Sequence, residues 1–320
     1  MTIDQHPIES SFNFHSTAAD VVADAELTGK TAVVTGGYSG LGLEITRALA
    51  TSGATVIIPA RRPDAARAAT ADLPRIEVGT MDLADLASVR AFADTVTSGS
   101  RPIDIVIGNA GVMASPELRL GQRWESQFAI NHLGHFALAN ELMPALIAAD
   151  GARLISVSSA GHHNSPIRWD DPQFDQGYDK WLAYGQSKTA NALFALHLDR
   201  IGAPYGVRAF SLHPGKILTP LQRHLTTDEM IDFGWIHADG TGADPGFKTP
   251  QQGAATATWA ATSKQLNDLG GLYCEDCNVA EVATEPLDEP TGVRDYACDS
   301  DQAARLWALS ADLTEVAVQI

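Results

Sequence analysis

Three cysteines in 320 residues are too few, and odd in number, for a disulfide framework, which fits a reducing compartment. Basic residues are scarce too: 22 Lys and Arg stand against 39 Asp and Glu, a formal net charge of −17 with a pI near 4.8. Such a surface repels nucleic-acid phosphates and anionic lipid, so neither partner is expected. No apolar run approaches the ~20 residues of a membrane helix, and the first 20 residues lack the basic-then-apolar order of a signal peptide. A soluble, cytoplasmic protein is expected. No repeat, low-complexity tract or linker divides the chain, so its 45% hydrophobic residues are expected to fill the core of one domain.

What is present is an alternation. Residues 1–28 read as an irregular N-terminal arm, with a short acidic helix over 16–27 capped by Ser16 or Thr17. The arm is expected to pack on the main domain or on a neighbouring subunit. From 29 to 320 the texture is that of one domain. Short β-branched runs at 30–35, 55–59, 75–80, 103–108, 153–158 and 207–212 read as strands. Helical spacing between them marks helices near 63–73, 84–97, 123–148 and 180–201. Strands separated by helices need crossover connections, and so a doubly wound parallel α/β sheet, of about seven strands with helices on both faces. Nearly continuous apolar runs such as Ala32-Val33-Val34 suit strands buried on both faces. Residues 218–248 break the alternation and read as a mobile lobe over the site, with Phe233 and Trp235 as apolar anchors. Thr249-Pro250-Gln251-Gln252 opens a further helix with a capping box. An acidic loop over 281–301 and a short helix over 303–309 close the chain.

Two groups of residues carry chemistry. Gly36, Gly40 and Gly42 lie between the first strand and its helix, where backbone N–H groups and the positive helix end can meet a dinucleotide pyrophosphate. A structural turn is the plainer alternative. Tyr184 and Lys188, four residues apart in the first turn of a helix, project from one face. An ammonium near a phenol favours the phenolate, drawing its pKa from about 10 towards neutrality and making it a proton donor or acceptor. That pairing alone recurs on ordinary helices.

Taken together, the motifs resemble a short-chain dehydrogenase/reductase of the single-domain type, in its retinol-dehydrogenase-like branch. They run in order: Thr35-Gly36-Gly37-Tyr38-Ser39-Gly40-Leu41-Gly42, Asp82-Leu83, Asn109-Ala110-Gly111-Val112, Asn131-His132-Leu133-Gly134-His135-Phe136, Val157-Ser158-Ser159, Tyr184-x-x-x-Lys188 and His213-Pro214-Gly215. The resemblance covers roughly 29–225 and implies a Rossmann (dinucleotide-binding) fold. It also implies a catalytic set of Asn131, Ser159, Tyr184 and Lys188. Ser159 would hold the substrate oxygen beside the Tyr184 phenol. Lys188 would bind the nicotinamide ribose and depress the phenol. Asn131 would sit in a kinked helix and position a relay water. For the cofactor it implies Gly36, Tyr38, Ser39, Gly40, Leu41 and Gly42 at the turn. Asp82 and Leu83 would lie by the adenine, and Asn109, Ala110 and Gly111 in the cleft. Pro214, Gly215, Ile217 and Thr219 would lie near the carboxamide. A small-molecule carbonyl or alcohol substrate and a homodimer or homotetramer follow from the same resemblance.

Cofactor choice is argued from charge. An NAD enzyme usually carries a carboxylate at the end of the second strand, on the ribose 2′-OH. Here Ala60 takes that place and Arg61-Arg62 follow, and a guanidinium suits a 2′-phosphate. NADP(H) is preferred with Arg61 as its contact, and NAD(H) remains possible; two solvated arginines opening a helix are the bland alternative. No Cys or His pair completes Cys274-x-x-Cys277, and Cys298 stands alone, so structural thiols and no metal are expected. His162 and His163 read as loop-surface residues, with a place at the substrate mouth as the alternative, and His132 and His135 as packing. Trp169, Phe174, Tyr178 and Trp181 either wall an apolar pocket or pack their loop. Two rival functions are a non-catalytic NAD(P) sensor and an epimerase or dehydratase. The complete serine, tyrosine, lysine and asparagine set speaks against the first, and the glycine spacing against the second. An interaction protein assembled through its N-terminal arm is compatible with activity.

Overall fold

The computed structural model describes residues 5–284 and 290–317; parts of the expected arm (1–4) and C-terminal loop (285–289) lie outside them, as do 318–320. Thr31–Val34 (β1), Thr55–Ala60 (β2), Ile76–Thr80 (β3), Ile105–Gly108 (β4), Arg153–Val157 (β5), Arg208–His213 (β6), Leu272–Glu275 (β7) and Asn278–Val279 (β8) form one sheet. Its order is β8-β7-β6-β5-β4-β1-β2-β3, parallel throughout except for β8. The chain winds outward from β1 to β3 and then restarts on the other side at β4. The switch point between β1 and β4 therefore opens a crevice at their carboxyl ends.

Alternate residues of each strand serve opposite faces. Ala32 and Val34 join Ile58, Ile107, Phe210 and Trp259 in one apolar layer, while Val33 joins Ile57, Val106, Phe92, Phe136 and Phe194 in the other. Helices Gly40–Thr51 (α1) and Ala255–Thr262 (α6) cover the first layer. Leu86–Thr97 (α3), Gly134–Ile147 (α4) and Lys180–Gly202 (α5) cover the second, with Pro63–Ala69 (α2) beside β2 and Ser300–Thr314 (α7) against α5.

Several elements differ from the sequence expectation. The sheet has eight strands because Asp276 and Cys277, at φ 49° and 58°, turn the chain tightly back, pairing Glu275 with Asn278. Paired left-handed residues are the geometry of a tight hairpin. The arm's helix is only Ala18–Val21, capped reciprocally by Thr17 and Asp20; the chain then leaves the helix so that the Leu27 amide can bond Ser52. The segment expected as one helix over 123–148 begins with a short hairpin, Arg119–Leu120 with Trp124–Glu125. It then passes from Ser126–Phe128 through a π turn, Ala129–Leu133, into α4. The closing helix is longer than 303–309, because Asp299 caps it by accepting from Asp301 and Gln302 and its face buries Leu306 and Trp307. Tyr184 accordingly lies in the second turn of α5, not the first, since Asp179 caps the helix at Lys180.

The described part of the arm packs on its own domain. The buried Gln5 amide donates to the Tyr273 and Ala280 carbonyls at 2.7 and 2.6 Å and accepts from the Tyr273 amide at 3.0 Å. In 218–248 a 3-10 turn, Pro220–His224, precedes a short helix, Thr227–Asp232. Phe233 and Trp235 then meet Trp181 edge-on, with ring centroids 5.5 and 6.4 Å away.

Candidate active site

The crevice at the switch point is a cavity of about 620 Å³. Its floor begins where β1 ends. Gly36 (φ 65°) and Gly40 (φ 52°) take left-handed conformations that a side chain would strain, and Ser39 leads into the N-terminus of α1. Gly42 has a different role from the one expected. A Cβ there would lie 2.2 Å from the Gly36 carbonyl oxygen, so Gly42 lets the helix close on the turn and does not line the cavity. Thr35 locks the two central strands together: its Oγ1 accepts from the Asn109 and Ala110 amides, both at 2.9 Å. The Thr35 hydroxyl then donates to His135 Nε2 at 2.8 Å, while His135 Nδ1 donates to the Asn131 carbonyl at 3.0 Å. Acceptance at Nε2 needs the neutral ring, and burial holds its pKa down at about 4. His135 is thus more than packing.

Asn131 sits in the π turn, fully buried. Its Oδ1 accepts from the Val112 amide at 2.8 Å, and its Nδ2 donates to the Val112 carbonyl and Ser187 Oγ, both at 2.9 Å. It lies behind Gly111, where an added Cβ would meet Asn131 Oδ1 at 3.0 Å and Lys188 Nζ at 3.8 Å. On the buried face of α5, Lys188 donates to the Val157 carbonyl at 2.9 Å, and its Nζ lies 5.7 Å from the Tyr184 ring centroid. Burial lowers the lysine to about 8 and raises Tyr184 to about 12, with the Ser159 hydroxyl drawing the phenol part of the way back. The expected fall in the phenol's pKa is therefore not found among the protein's own groups, because desolvation outweighs the lowering by the Ser159 hydroxyl. The serine pair divides: Ser158 Oγ donates to the Lys188 carbonyl at 2.7 Å, whereas Ser159 Oγ accepts from the Gly161 amide at 3.0 Å beside the phenol.

His162 is the clearest correction. It is fully buried, not a surface residue. The 3-10 turn Ala160–Asn164 that carries it is covered by Val293–Arg294 and Tyr296 from the far end of the chain. Its Nδ1 donates to the Ser159 carbonyl at 2.6 Å and its Nε2 accepts from the Arg294 amide at 3.1 Å, with its pKa pushed down to about 3 by burial. His163 is half-buried and bonds the Gly292 carbonyl at 3.1 Å. Such a long-range cover leaves no local signal.

The remaining expected residues line the cavity: Tyr38 and Leu41 at the turn, Arg61, Asp82 and Leu83 beyond β2 and β3, and Pro214, Gly215, Ile217 and Thr219 after β6. Of the four loop aromatics, only Trp181 reaches it, opposite Trp235 and Phe247. Trp169 donates to Gln302 at 2.7 Å under Arg305, Phe174 is fully buried, and Tyr178 donates to the Ser115 carbonyl at 2.8 Å; these three pack the loop. The cavity wall carries Arg61, Arg62, Lys188, Lys216 and Arg223 against one carboxylate, Asp82, the reverse of the molecule's −17 balance. Cys274 and Cys277 are buried free thiols, and no cluster of three or more His, Cys, Asp or Glu suited to a metal occurs among the described residues. No helix among them is long and apolar enough to cross a membrane.

A family model described as short chain dehydrogenase matches residues 30–230. A Streptomyces lividans protein described as "Probable oxidoreductase" is 45% identical over 295 residues, covering 90% of this chain and 98% of its own. Human retinol dehydrogenase 11 is 33% identical over 294 residues, covering 90% and 86%. Among solved structures, an uncharacterized protein from Mycobacterium paratuberculosis superposes with a TM-score of 0.73 at 34% identity, over 96% of this chain and 100% of that one. The RhlG/NADP active-site complex of Pseudomonas aeruginosa superposes with a TM-score of 0.59 at 25% identity, over 78% and 94%.

Proposed function

The chain belongs to the short-chain dehydrogenase/reductase family, in its retinol-dehydrogenase-like branch, and is an oxidoreductase; on that premise we propose that it reduces the carbonyl of an apolar ketone or aldehyde with NADPH. The observation that carries the reading is the convergence of Tyr184, Ser159 and Lys188 on the wall of a cavity floored by the glycine turn. The cavity fits a dinucleotide phosphate, because an acidic chain concentrates five cations and one carboxylate there and adds a helix N-terminus. A relative solved with NADP supports the same cofactor, and Arg61 is assigned to the 2′-phosphate.

The nicotinamide, when bound, supplies the hydride. Tyr184, raised to about 12, is fully protonated at neutral pH and is the proton donor to the carbonyl oxygen as the carbon receives hydride. Ser159 accepts from Gly161 and its hydroxyl lies beside the phenol, from where it donates to that same oxygen when substrate is bound. Lys188, still largely charged at pH 7, stabilises the phenolate left behind, and Asn131 fixes the backbone beside it. Trp181, Trp235, Phe247, Met113 and Leu221 give the substrate end an apolar wall, in keeping with relatives named retinol dehydrogenase.

The test is nicotinamide oxidation followed by absorbance across aliphatic, aromatic and polyene aldehydes and ketones. NADPH-dependent turnover of the larger apolar members is expected. Tight cofactor binding without turnover of any carbonyl would instead favour a sensor.

A further inference from the structure

Arg223 is the cavity's one cation from the 3-10 turn Pro220–His224, and it lines the same cavity as Arg61 and Arg62 at the end of β2. In a 3-10 turn, residues three apart eclipse one another, so Arg223 projects on the same side as Pro220. That side lies over the glycine turn: a Cβ at Gly40 would sit 3.5 Å from Thr219 Cβ and 4.0 Å from Pro220 Cδ. The Arg223 guanidinium donates back to the Pro220 carbonyl at 3.0 Å, which keeps it over that side.

Its charge environment is unfavourable as it stands. Desolvation, and after it the nearby charge of Arg61, lowers the pKa of Arg223. Although the chain has 39 acidic residues, none of Arg61, Arg62 and Arg223 forms an ion pair among the described residues. Like charges brought together from separate elements and left without counter-charges are relieved by an anion placed between them.

We propose that Arg223 and Arg61 clamp the adenosine 2′-phosphate of NADP(H) from opposite sides, so that the phosphate group draws 220–248 onto the site. The proposal rests on the NADP reading above and deepens it, by making the substrate lobe part of cofactor discrimination. Leu221, Trp235 and Phe247 belong to the same segment and line the substrate end. A phosphate bound at one end of the cavity thereby sets the wall at the other. A guanidinium pair suits a phosphate dianion through bidentate hydrogen bonds, which a ribose 2′-OH cannot accept in the same way.

The experiment is binding without turnover: quenching of tryptophan fluorescence by NADPH and by NADH, for the wild type, Arg61→Ala, Arg223→Ala and Arg223→Lys. It is paired with backbone hydrogen exchange over 220–248. Arg223→Ala is expected to raise the Kd for NADPH about tenfold and that for NADH less than about twofold, with Arg223→Lys between. NADPH, but not NADH, is expected to slow exchange over 220–248, and Arg223→Ala to abolish that difference. If the wild type prefers NADPH and Arg223→Ala keeps the same preference, the clamp is wrong and the NADP reading stands. A wild type that binds both cofactors equally overturns the NADP reading and the clamp with it. Equal weakening of both cofactors by Arg223→Ala overturns the clamp in favour of general charge attraction.

Discussion

At Tyr184 two effects pull in opposite directions, and burial wins. The ring is only 4% exposed, and desolvation outweighs the lowering by the Ser159 hydroxyl. The result is a phenol that holds its proton and is set up to give it away only when negative charge develops beside it. Replacing Tyr184 by Phe removes that proton and little else. Turnover is expected to fall at least about a hundredfold while the NADPH Kd stays within about twofold; unchanged turnover would rule out this proton path. Gly161 controls where the ring lies. A Cβ there would come within 2.6 Å of Tyr184 Cε1 and 2.9 Å of Cδ1, and a ring on a packed helix cannot give way as a flexible chain end does. Gly161→Ala is expected to cut kcat by roughly ten- to a hundredfold by displacing the phenol, with a smaller change in cofactor Kd. Parallel kcat and thermal-melting measurements separate displacement from unfolding.

Elements were legible in the sequence wherever the cause was local. The long helix carrying Tyr184 and Lys188 begins at Lys180 as expected, because Asp179 accepts from the Trp181 and Leu182 amides, both at 2.8 Å. The Thr249 and Gln252 capping box forms as its spacing demands. What escaped notice depends on partners far along the chain. The π turn at Ala129–Leu133 is set by bonds from Asn131 to Val112 and Ser187, and His162 is buried by a strand about 130 residues away, as its bond to the Arg294 amide shows. β8 depends on a tight turn built from Asp276 and Cys277 without glycine or asparagine, so its usual signature is missing. The arm shows the same dependence on distance. Gln5 satisfies three backbone groups of the β7–β8 edge from more than 260 residues away. Truncation to Ala removes the Gln5 partner of the Tyr273 amide and the Ala280 carbonyl, while the Tyr273 carbonyl keeps the Ala280 amide, at a cost of about 2–4 kcal/mol. Urea unfolding of Gln5→Ala checks this, and a loss below about 0.5 kcal/mol would mean that the arm merely drapes over the edge.

For the whole molecule, the decisive titrating groups are buried histidines rather than the abundant surface carboxylates. Burial holds His132, His162 and His213 at about 3 and His135 at about 4, against an ordinary value of 6.5. Each is hydrogen-bonded within the fold. His132 meets Ser310 at 2.6 Å, and His213 accepts from the Ala160 amide at 3.0 Å. Between pH 6.5 and about 4 the unfolded chain binds these protons and the folded one does not, so stability falls as pH falls. Each group contributes about 1.4 kcal/mol per pH unit once the pH is well below 6.5, so the four together reach about 6 kcal/mol at pH 5.5. An opposing effect exists: acidification neutralises part of the −17 charge and relieves self-repulsion. Carboxylates with ordinary pKa values titrate mostly below pH 4.5, however, so the histidines win in the window above it. Given a total stability of about 5–15 kcal/mol for a typical domain, the fold is expected to fail near pH 5. Urea midpoints measured from pH 7.5 to 5 are therefore expected to fall steeply below pH 6.5, and His132→Gln should make that slope about a quarter shallower. A flat profile across that window would show that water reaches these rings in the folded state.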